Sequence, residues 1–404
     1  MNKRAMKKNE EPKTPYFVID VSVLDAGVDS LRRALDASWS NNIIGYSYKT
    51  NSLPWVVTHM NELGCYAEVV SDDEYLLAQH VGVAPDSVIY NGIAKSHDTF
   101  LKALEDGAIV NIDAGYEIGW LDDYAGVPRG VGLRVNFDLE SLCPGHAHGG
   151  VDGSRFGFCY ENGELRRAIE RVVDKGFTID GLHLHKSSKT RLPEVYFAIA
   201  KTAVKIAREF ELKLKYVDIG GGFFGGLPSK PQFPEYFEGI AAILRSEFTS
   251  DEVCLVVEPG MAVIGPPISY VTTVVDVKHG LGTDFVVTDG SRVHIDPLMT
   301  KSSYFYEHQL ASGFEHGHSP RQVVTGYTCM ENDRIFEIID GDAAQPSDVI
   351  TYQKVGAYTM CLSPAFIKWL PDVYVKDWAG MHQVKQRWDA EQFMNANTCG
   401  GWAR

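Results

Sequence analysis

Short apolar runs bounded by polar residues and glycines recur along the first two thirds of the chain. They fall at Asn42–Tyr48, Cys65–Val70, Val88–Asn91, Ile109–Asp113, Val131–Asn136, Gly181–His185, Tyr216–Gly220 and Leu255–Glu258. Runs this short and this continuously apolar read as strands buried on both faces. Between most of them lie stretches with apolar residues at helical spacing: Leu53–Leu63, Asp72–His80, Ser96–Asp106, Gly163–Lys175, Pro193–Phe210 and Pro234–Phe248. Eight β-type runs alternating with helices predict an α/β fold, a (β/α)8 barrel of the TIM type over residues 24–267.

After Pro266–Pro267 the rhythm changes. Ile268–Val277, Asp284–Thr288, Val323–Tyr327, Val349–Tyr352 and Val373–Val375 are β-like, with little helical spacing between them. This predicts a second, mostly β domain over residues 268–404. Pro15–Asp20 reads as a strand with no place in the barrel, so residues 15–23 are assigned to the β domain. Leu24–Ser38 has helical spacing (Leu24, Val28, Leu31, Leu35) after possible caps at Asp20 and Ser22. Residues 1–14 are expected to be a disordered tail. The segment from Asp377 onward is polar apart from a few aromatics (Trp378, Trp388, Phe393), and is expected to be a helix docked on the surface.

Composition narrows the function classes. The chain has 404 residues, 45% hydrophobic and 23% charged, with a net charge of −15. Such an acidic protein is a poor partner for nucleic acid or an anionic membrane. No apolar run is long enough to span a bilayer, and the charged N-terminus has no apolar stretch behind it, so it does not read as a signal peptide. The seven cysteines are scattered and form no CxxC pair. Neither a metal site nor a disulfide framework is indicated, and a cytoplasmic location fits.

In a barrel of this kind the working groups stand at the C-terminal ends of the strands. Those ends carry Lys49, Glu68, Asn91, Asp113, Arg134 and Asn136, His183 and His185, Asp218 with Gly220, Gly221 and Gly222, and Glu258 with Gly260. Lys49 ends the run IIGYSYK. Burial lowers the pKa of an ammonium and makes a nucleophilic amine, which is what a Schiff-base lysine needs. Its ordinary alternative is a lysine reaching out to water. The glycine run DIGGGFFGG (Asp218–Gly226) follows the seventh strand, where phosphate is commonly held in this architecture, and consecutive glycines let backbone N–H groups converge on an anion. A flexible turn is the plainer alternative. Glu258 ends an apolar strand. Lysine for an aldehyde, glycines for a phosphate and a carboxylate for a pyridine nitrogen together outline a site for pyridoxal 5'-phosphate, with an imidazole such as His185 on the ring face. Outside the barrel, Cys329 in TCMEND is either a buried structural thiol or an active-site proton donor, and the Tyr358 phenol could bond a phosphate.

These motifs resemble the fold-type III pyridoxal-phosphate decarboxylases, the family of diaminopimelate and ornithine decarboxylases. The resemblance runs from Tyr16 to about Val375. It is carried by YSYKTN around Lys49, SRFG at Ser154–Gly157, GLHLHKSS at Gly181–Ser188, DIGGG at Asp218–Gly222, VVEPG at Val256–Gly260, TCMEND at Thr328–Asp333 and GAYTM at Gly356–Met360. It implies an alanine-racemase-like barrel followed by a β-sandwich-like domain, and decarboxylation of an amino acid, a small-molecule substrate. Lys49 would be the Schiff-base lysine, His185 would stack on the ring, Glu258 would face its nitrogen, and Ser188, Gly222, Gly260 and Tyr358 would contact the phosphate. It further implies a homodimer with two shared sites, each completed by Cys329 from the other copy. The chain departs from the family at the substrate end. Met261 stands where the diaminopimelate enzymes have arginine after EPG, and Asp296 where they have arginine before a proline. Met330 follows the cysteine, displacing Glu331 by one. HKSS replaces His-x-Gly-Ser. The expectation is decarboxylation with an altered substrate pocket, in which Asp296 and Glu331 would suit a distal amine. Two alternatives are an amino-acid racemase, which needs a tyrosine base and an arginine in place of Glu258, and an inactive homologue that regulates an active decarboxylase.

Overall fold

The computed structural model describes residues 12–149, 153–313 and 315–398. Residues 1–11 of the expected tail, and Cys399, lie outside them. Thr14, at the end of that tail, is tied down: its hydroxyl donates to Asp289 Oδ2 at 2.6 Å and lies 2.8 Å from Thr273 Oγ1. Two compact units divide the chain, residues 25–263 and the described parts of 1–24 with 264–404.

The chain starts with β1 (Tyr16–Asp20) and α1 (Val21–Ser38). The first unit then runs β2 (Asn42–Ser47), α2 (Pro54–Glu62), β3 (Tyr66–Val69), α3 (Asp72–His80), β4 (Val88–Tyr90), α4 (His97–Asp106), β5 (Ile109–Ile112), α5 (Gly115–Trp120) and β6 (Gly130–Asn136). It continues with α6 (Leu139–Leu142), β7 (Phe158–Cys159), α7 (Glu164–Asp174), β8 (Thr178–His183), α8 (Pro193–Glu209), β9 (Tyr216–Asp218), α9 (Phe233–Leu244) and β10 (Cys254–Val257). Eight of these strands pair in parallel in the order β2-β3-β4-β5-β6-β8-β9-β10, and β10 pairs back to β2, closing the barrel. All eight overlap the apolar runs, although β8 starts at Thr178, ahead of the run that begins at Gly181. β7 is an extra two-residue strand on the flank of β6, too short to leave a pattern in the sequence.

Local chemistry sets the helix ends. The Ser71 side chain accepts the Glu74 N–H at 3.2 Å, and Asp72, Asp73 and Glu74 fill the first turn of α3, where the helix dipole favours negative charge. Ser96 caps α4 in the same way, and Gly107 ends it at φ 86°, a left-handed conformation glycine adopts without penalty. On α7 the buried face is Leu165, Ala168, Ile169 and Val172, an i, i+3, i+4, i+7 stripe. Each of its large side chains contributes about 1.5–3 kcal/mol of burial.

The second unit adds α10 (Met261–Ile264) at its boundary, then β11 (Ile268–His279), β12 (Asp284–Thr288), α11 (Arg292–Ile295), β13 (Phe305–Gln309), β14 (His318–Thr325), β15 (Arg334–Asp342), β16 (Val349–Gln353), β17 (Asp372–Asp377), β18 (Gly380–Lys385) and α12 (Ala390–Asn397). They form one sheet with β1 in it, antiparallel to β11 and parallel to β17. β13, β15 and β18 carry no continuous apolar run, because most of their residues face water or are only half covered. The segment after Asp377 is a strand followed by a helix, rather than a helix alone. Phe393 of α12 packs near Trp369 and Trp388, while Trp378 is fully exposed. Among the described residues no helix is long and apolar enough to cross a membrane.

Candidate active site

Lys49 follows β2 directly, in a single 3-10 turn over Tyr48–Thr50. Its Nζ lies 2.6 Å from Ser47 Oγ and 2.6 Å from Glu68 Oε2. Glu68 is buried on β3, where its Oε2 also accepts the Ser47 hydroxyl and its Oε1 accepts the Asn91 amide at 2.9 Å. Asn91 Nδ2 reaches Glu258 Oε1 at 2.5 Å as well. One asparagine amide therefore joins the carboxylate beside the lysine to the carboxylate after β10.

Glu258 is buried with two other polar groups, His183 and Asp218, whose ligand atoms all lie within 4.8 Å of one another. His183 Nε2 is 3.5 Å from Glu258 Oε2. Burial alone would raise the Glu258 pKa, but the neighbouring His183, Lys49 and His185 outweigh it and hold the carboxyl well below its usual range. Asp218 goes the other way: burial and the Glu258 charge push it well above. The two neighbouring carboxyls are thus pushed in opposite directions by the same surroundings. Both ring nitrogens of His183, and Asp218 Oδ2, are buried without a hydrogen-bond partner, and burying such groups is costly unless something binds them.

The glycine run after β9 is shaped by close approach. Gly220 and Gly222 have φ of 71° and 95°. A Cβ on Gly220 would meet His185 Nδ1 at 2.2 Å, and one on Gly221 would meet the Glu258 carbonyl at 1.9 Å. The Gly221 N–H donates to His185 Nδ1 at 3.1 Å, which leaves the ring proton on Nε2. Burial lowers His185 to about 3, so the imidazole is neutral. After β10, a Cβ on Gly260 would sit 2.1 Å from Thr50 Oγ1. The turns after β2, β9 and β10 therefore meet at distances only glycine allows.

Below this lies a feature the sequence reading missed. Asn111, Gly132, Gly181 and Tyr216 are in register across β5, β6, β8 and β9. The Tyr216 side chain crosses over both glycines, and its phenol donates to Asn111 Oδ1 at 2.7 Å. Asn111 in turn donates to Asn91 Oδ1 at 2.8 Å, which fixes the Asn91 amide towards Glu68 and Glu258. The available signal was a glycine at or near the start of each of two apolar runs, a mark of close approach.

The other candidates fall in two groups. In the barrel, Arg134 pairs with Asp113 at 3.1 Å and stacks on Phe156. Ser188 Oγ accepts the backbone N–H groups of Thr190 and Arg191. Met261 is half-buried, with its sulfur 3.0 Å from Arg191 Nη1. Lys186, the lysine of HKSS, donates to Asn136 Oδ1 at 2.5 Å, and burial lowers it to about 8. It lines a cavity of about 560 Å³ with Arg134, Arg155, Phe156 and His185.

In the β unit, Cys329 is exposed, so the buried structural reading of this thiol does not hold. Tyr358 has a left-handed backbone (φ 56°) and a partly exposed ring. Met330 is half-buried, and the Glu331 side chain is exposed, paired with Arg334 at 3.5 Å. Asp296 is not an open acid. Its carboxylate accepts from Arg292 Nε and Nη2, the Thr300 and Lys301 N–H groups and the Tyr304 phenol. Of the two acids, Asp296 is therefore saturated by its own neighbourhood and Glu331 faces water beside Arg334.

The barrel residues fit pyridoxal phosphate. There is an amine at a strand end, an ionised carboxylate for a ring nitrogen, a neutral imidazole to lie on a ring face, glycine loops for a phosphate, and buried polar atoms awaiting a partner. The comparisons agree. The family described as pyridoxal-dependent decarboxylase, pyridoxal binding domain, matches residues 27–265. Similar sequences include the diaminopimelate decarboxylase of Methanothermobacter thermautotrophicus, 25% identical over 377 residues, covering 90% of this chain and 86% of the relative. That of Bacillus subtilis is 26% identical over 364 residues, covering 85% and 82%. The fold is shared with the diaminopimelate decarboxylase of M. jannaschii (TM-score 0.84, 18% identity, 96% and 93% of the two chains) and with that of Helicobacter pylori complexed with L-lysine (TM-score 0.81, 20% identity, 95% and 97%). The chain belongs to the pyridoxal-dependent decarboxylases of fold type III and is a pyridoxal-phosphate-dependent amino-acid decarboxylase.

Proposed function

We propose that this decarboxylase acts on an α-amino acid whose side chain ends in a carboxylate, at a site built from Lys49, His185, Glu258 and the glycine loop and completed by Cys329 of the partner subunit in a cytoplasmic homodimer. The observation that carries the site is the continuous link from Lys49 through Glu68 and Asn91 to Glu258. When bound, pyridoxal phosphate supplies an electron sink for the bond to the leaving carboxylate. The chain's residues do the rest. Lys49 Nζ would be the amine that holds the cofactor's aldehyde, and Glu68 Oε2 is the acceptor placed for its ammonium proton. Glu258, whose neighbours hold its carboxyl below the usual range, would keep a proton on the ring nitrogen, where a racemase would need arginine. Neutral His185 covers one ring face. Ser188, Gly221, Gly222, Gly260 and Tyr358 serve the phosphate, and Arg134 steadies the ring's edge. The Cys329 thiol of the partner subunit would be the proton donor to Cα.

The substrate class rests on the cavity beside His185. Of its cations, Arg134 alone has an ion pair, while Lys186 and Arg155 make none among the described residues. Its acids, Asp138 and Glu140, are occupied by Ser141 and by the Gly145 and Ala147 N–H groups. Lys186 and Arg155 are thus the charged groups on the cavity wall that have no carboxylate partner among the described residues. The six described cysteines are all free, as a reducing cytoplasm would leave them.

Two measurements test this reading. Carbon dioxide release from a panel of α-amino acids should be fastest for those with a distal carboxylate, and a preference for a distal amine would overturn the substrate class. Lys49→Ala and Cys329→Ala proteins, each inactive alone, should recover about a quarter of wild-type activity when mixed and allowed to exchange subunits, because half the dimers then carry one intact shared site. A mixture that stays inactive would remove the shared site.

A further inference from the structure

Arg191 stands where the loops after three consecutive barrel strands meet. It ends the loop after β8, and its own N–H donates to Ser188 Oγ at 3.0 Å. Its carbonyl accepts the Tyr236 phenol of α9 at 2.7 Å. Its φ is 55°, left-handed for a residue with a side chain, so the surrounding structure holds it there against strain.

That backbone aims the guanidinium at the other two loops. Nη1 lies 3.0 Å from the sulfur of Met261, the residue after Gly260. The guanidinium carbon lies 5.4 Å from the ring of Phe224, inside the glycine run after β9. A thioether is a weak acceptor and an aromatic ring is none in the usual sense, whereas a guanidinium carries five donors in a planar fork matched to oxyanions. Arg191 forms no ion pair with any carboxylate among the described residues. An arginine held in a strained conformation, without a carboxylate, beside glycine loops that only a backbone can approach, is a built anion receptor.

We propose that Arg191 is a binding residue for the phosphate of the cofactor, closing over the glycine cradle from the loop after β8. The proposal rests on the reading of this end of the barrel as the pyridoxal-phosphate site. It adds a side-chain charge to a phosphate site otherwise made of backbone N–H groups and hydroxyls, and it gives the strain at Arg191 a purpose.

Equilibrium binding separates the phosphate from the rest of the cofactor. The enzyme stripped of cofactor is titrated with pyridoxal phosphate and, separately, with pyridoxal, which lacks the phosphate, following the long-wavelength absorbance. For Arg191→Gln the Kd for pyridoxal phosphate should rise by about 10- to 100-fold, as expected for losing charge-assisted hydrogen bonds. The Kd for pyridoxal should stay as in the wild type, and Arg191→Lys should recover part of the loss. Equal weakening of both ligands would overturn the proposal and make Arg191 a structural brace of the loops. Unchanged binding of both would also overturn it while leaving the site reading intact. A wild-type protein that bound neither ligand would sink the site reading and this proposal together.

Discussion

Each unit of this protein buries carboxylates, and the two units treat them differently. In the β unit Asp333 accepts from Ser291 Oγ, the Arg292 N–H and both the N–H and hydroxyl of Thr328. Asp348 accepts from the Ala311 and Gln345 N–H groups and pairs with His308. Asp296 has the five donors given above. Each is saturated by its own neighbourhood, so each organises a loop. In the barrel Glu68, Asp218 and Glu258 stand among one another with His183 and Lys49, and orphaned polar atoms remain. Saturation marks a carboxylate as architecture, and an unfinished set marks a place where something else binds.

The comparison breaks most readily by exchanging the carboxylates for amides. Glu258→Gln should lower kcat on the order of 10²- to 10³-fold, since a preorganised charge facing the reacting system is lost, while the thermal midpoint moves little. Asp333→Asn should do the reverse. Its amide would turn donors against donors at about 3 kcal/mol of lost stability, with kcat per folded molecule near wild type. Parallel denaturant melts and initial rates check both, and a stability loss at Glu258 as large as that at Asp333 would erase the distinction.

A second test acts beneath the site. An alanine at Gly132 would place its Cβ 1.9 Å from Asn111 Oδ1 and 2.1 Å from the Tyr216 oxygen. Overpacking of this kind costs about 1–3 kcal/mol, and the displaced Asn111 should also lower kcat by loosening Asn91. Tyr216→Phe in the same protein removes one of the two clashing oxygens, so it should restore part of the stability but not the rate. Recovery of both together would mean that the relay has no role in orienting Glu258.

How much of this was legible in the sequence follows from where burial leaves a pattern. All eight barrel strands could be read because both of their faces are covered, and α3 could be read to the residue from the helical spacing of Asp72–His80. β13, β15 and β18 could not, since strands with wet faces and charged residues look like loops. Lys49, His185 and Glu258 were legible as polar residues at the ends of apolar runs. Tyr216, Asn111 and Arg191 were not. Tyr216 and Asn111 sit inside their runs and are joined only by register around the barrel. Arg191 reaches the site through a backbone angle no pattern announces. The donors around Asp296 were not legible either, because sequence gives an acid's charge but not what bonds it.

The smallest effects sharpen the comparison through the sign of a pH dependence. Glu74, in the first turn of α3, is raised from 4.5 to about 7 by burial and by the Glu68 charge, against the Val70 N–H and Lys49, which lower it. It binds its proton more tightly folded than unfolded. Its contribution to stability is therefore largest below pH 4.5 and is lost as the pH rises to about 7. Asp296 has the opposite sign. Burial raises it, but Arg292, the Lys301 and Thr300 N–H groups and Tyr304 outweigh burial and hold it below 3.8. Its contribution is complete above that value and is lost as the pH falls. Denaturant midpoints between pH 3 and pH 8 should show Glu74→Gln gaining on the wild type as the pH climbs towards neutrality and then running parallel to it. Asp296→Asn should fall furthest behind near neutrality and close the gap in acid. Midpoint differences independent of pH for both variants would mean that folding shifts neither carboxyl's pKa, and the opposite signs would vanish.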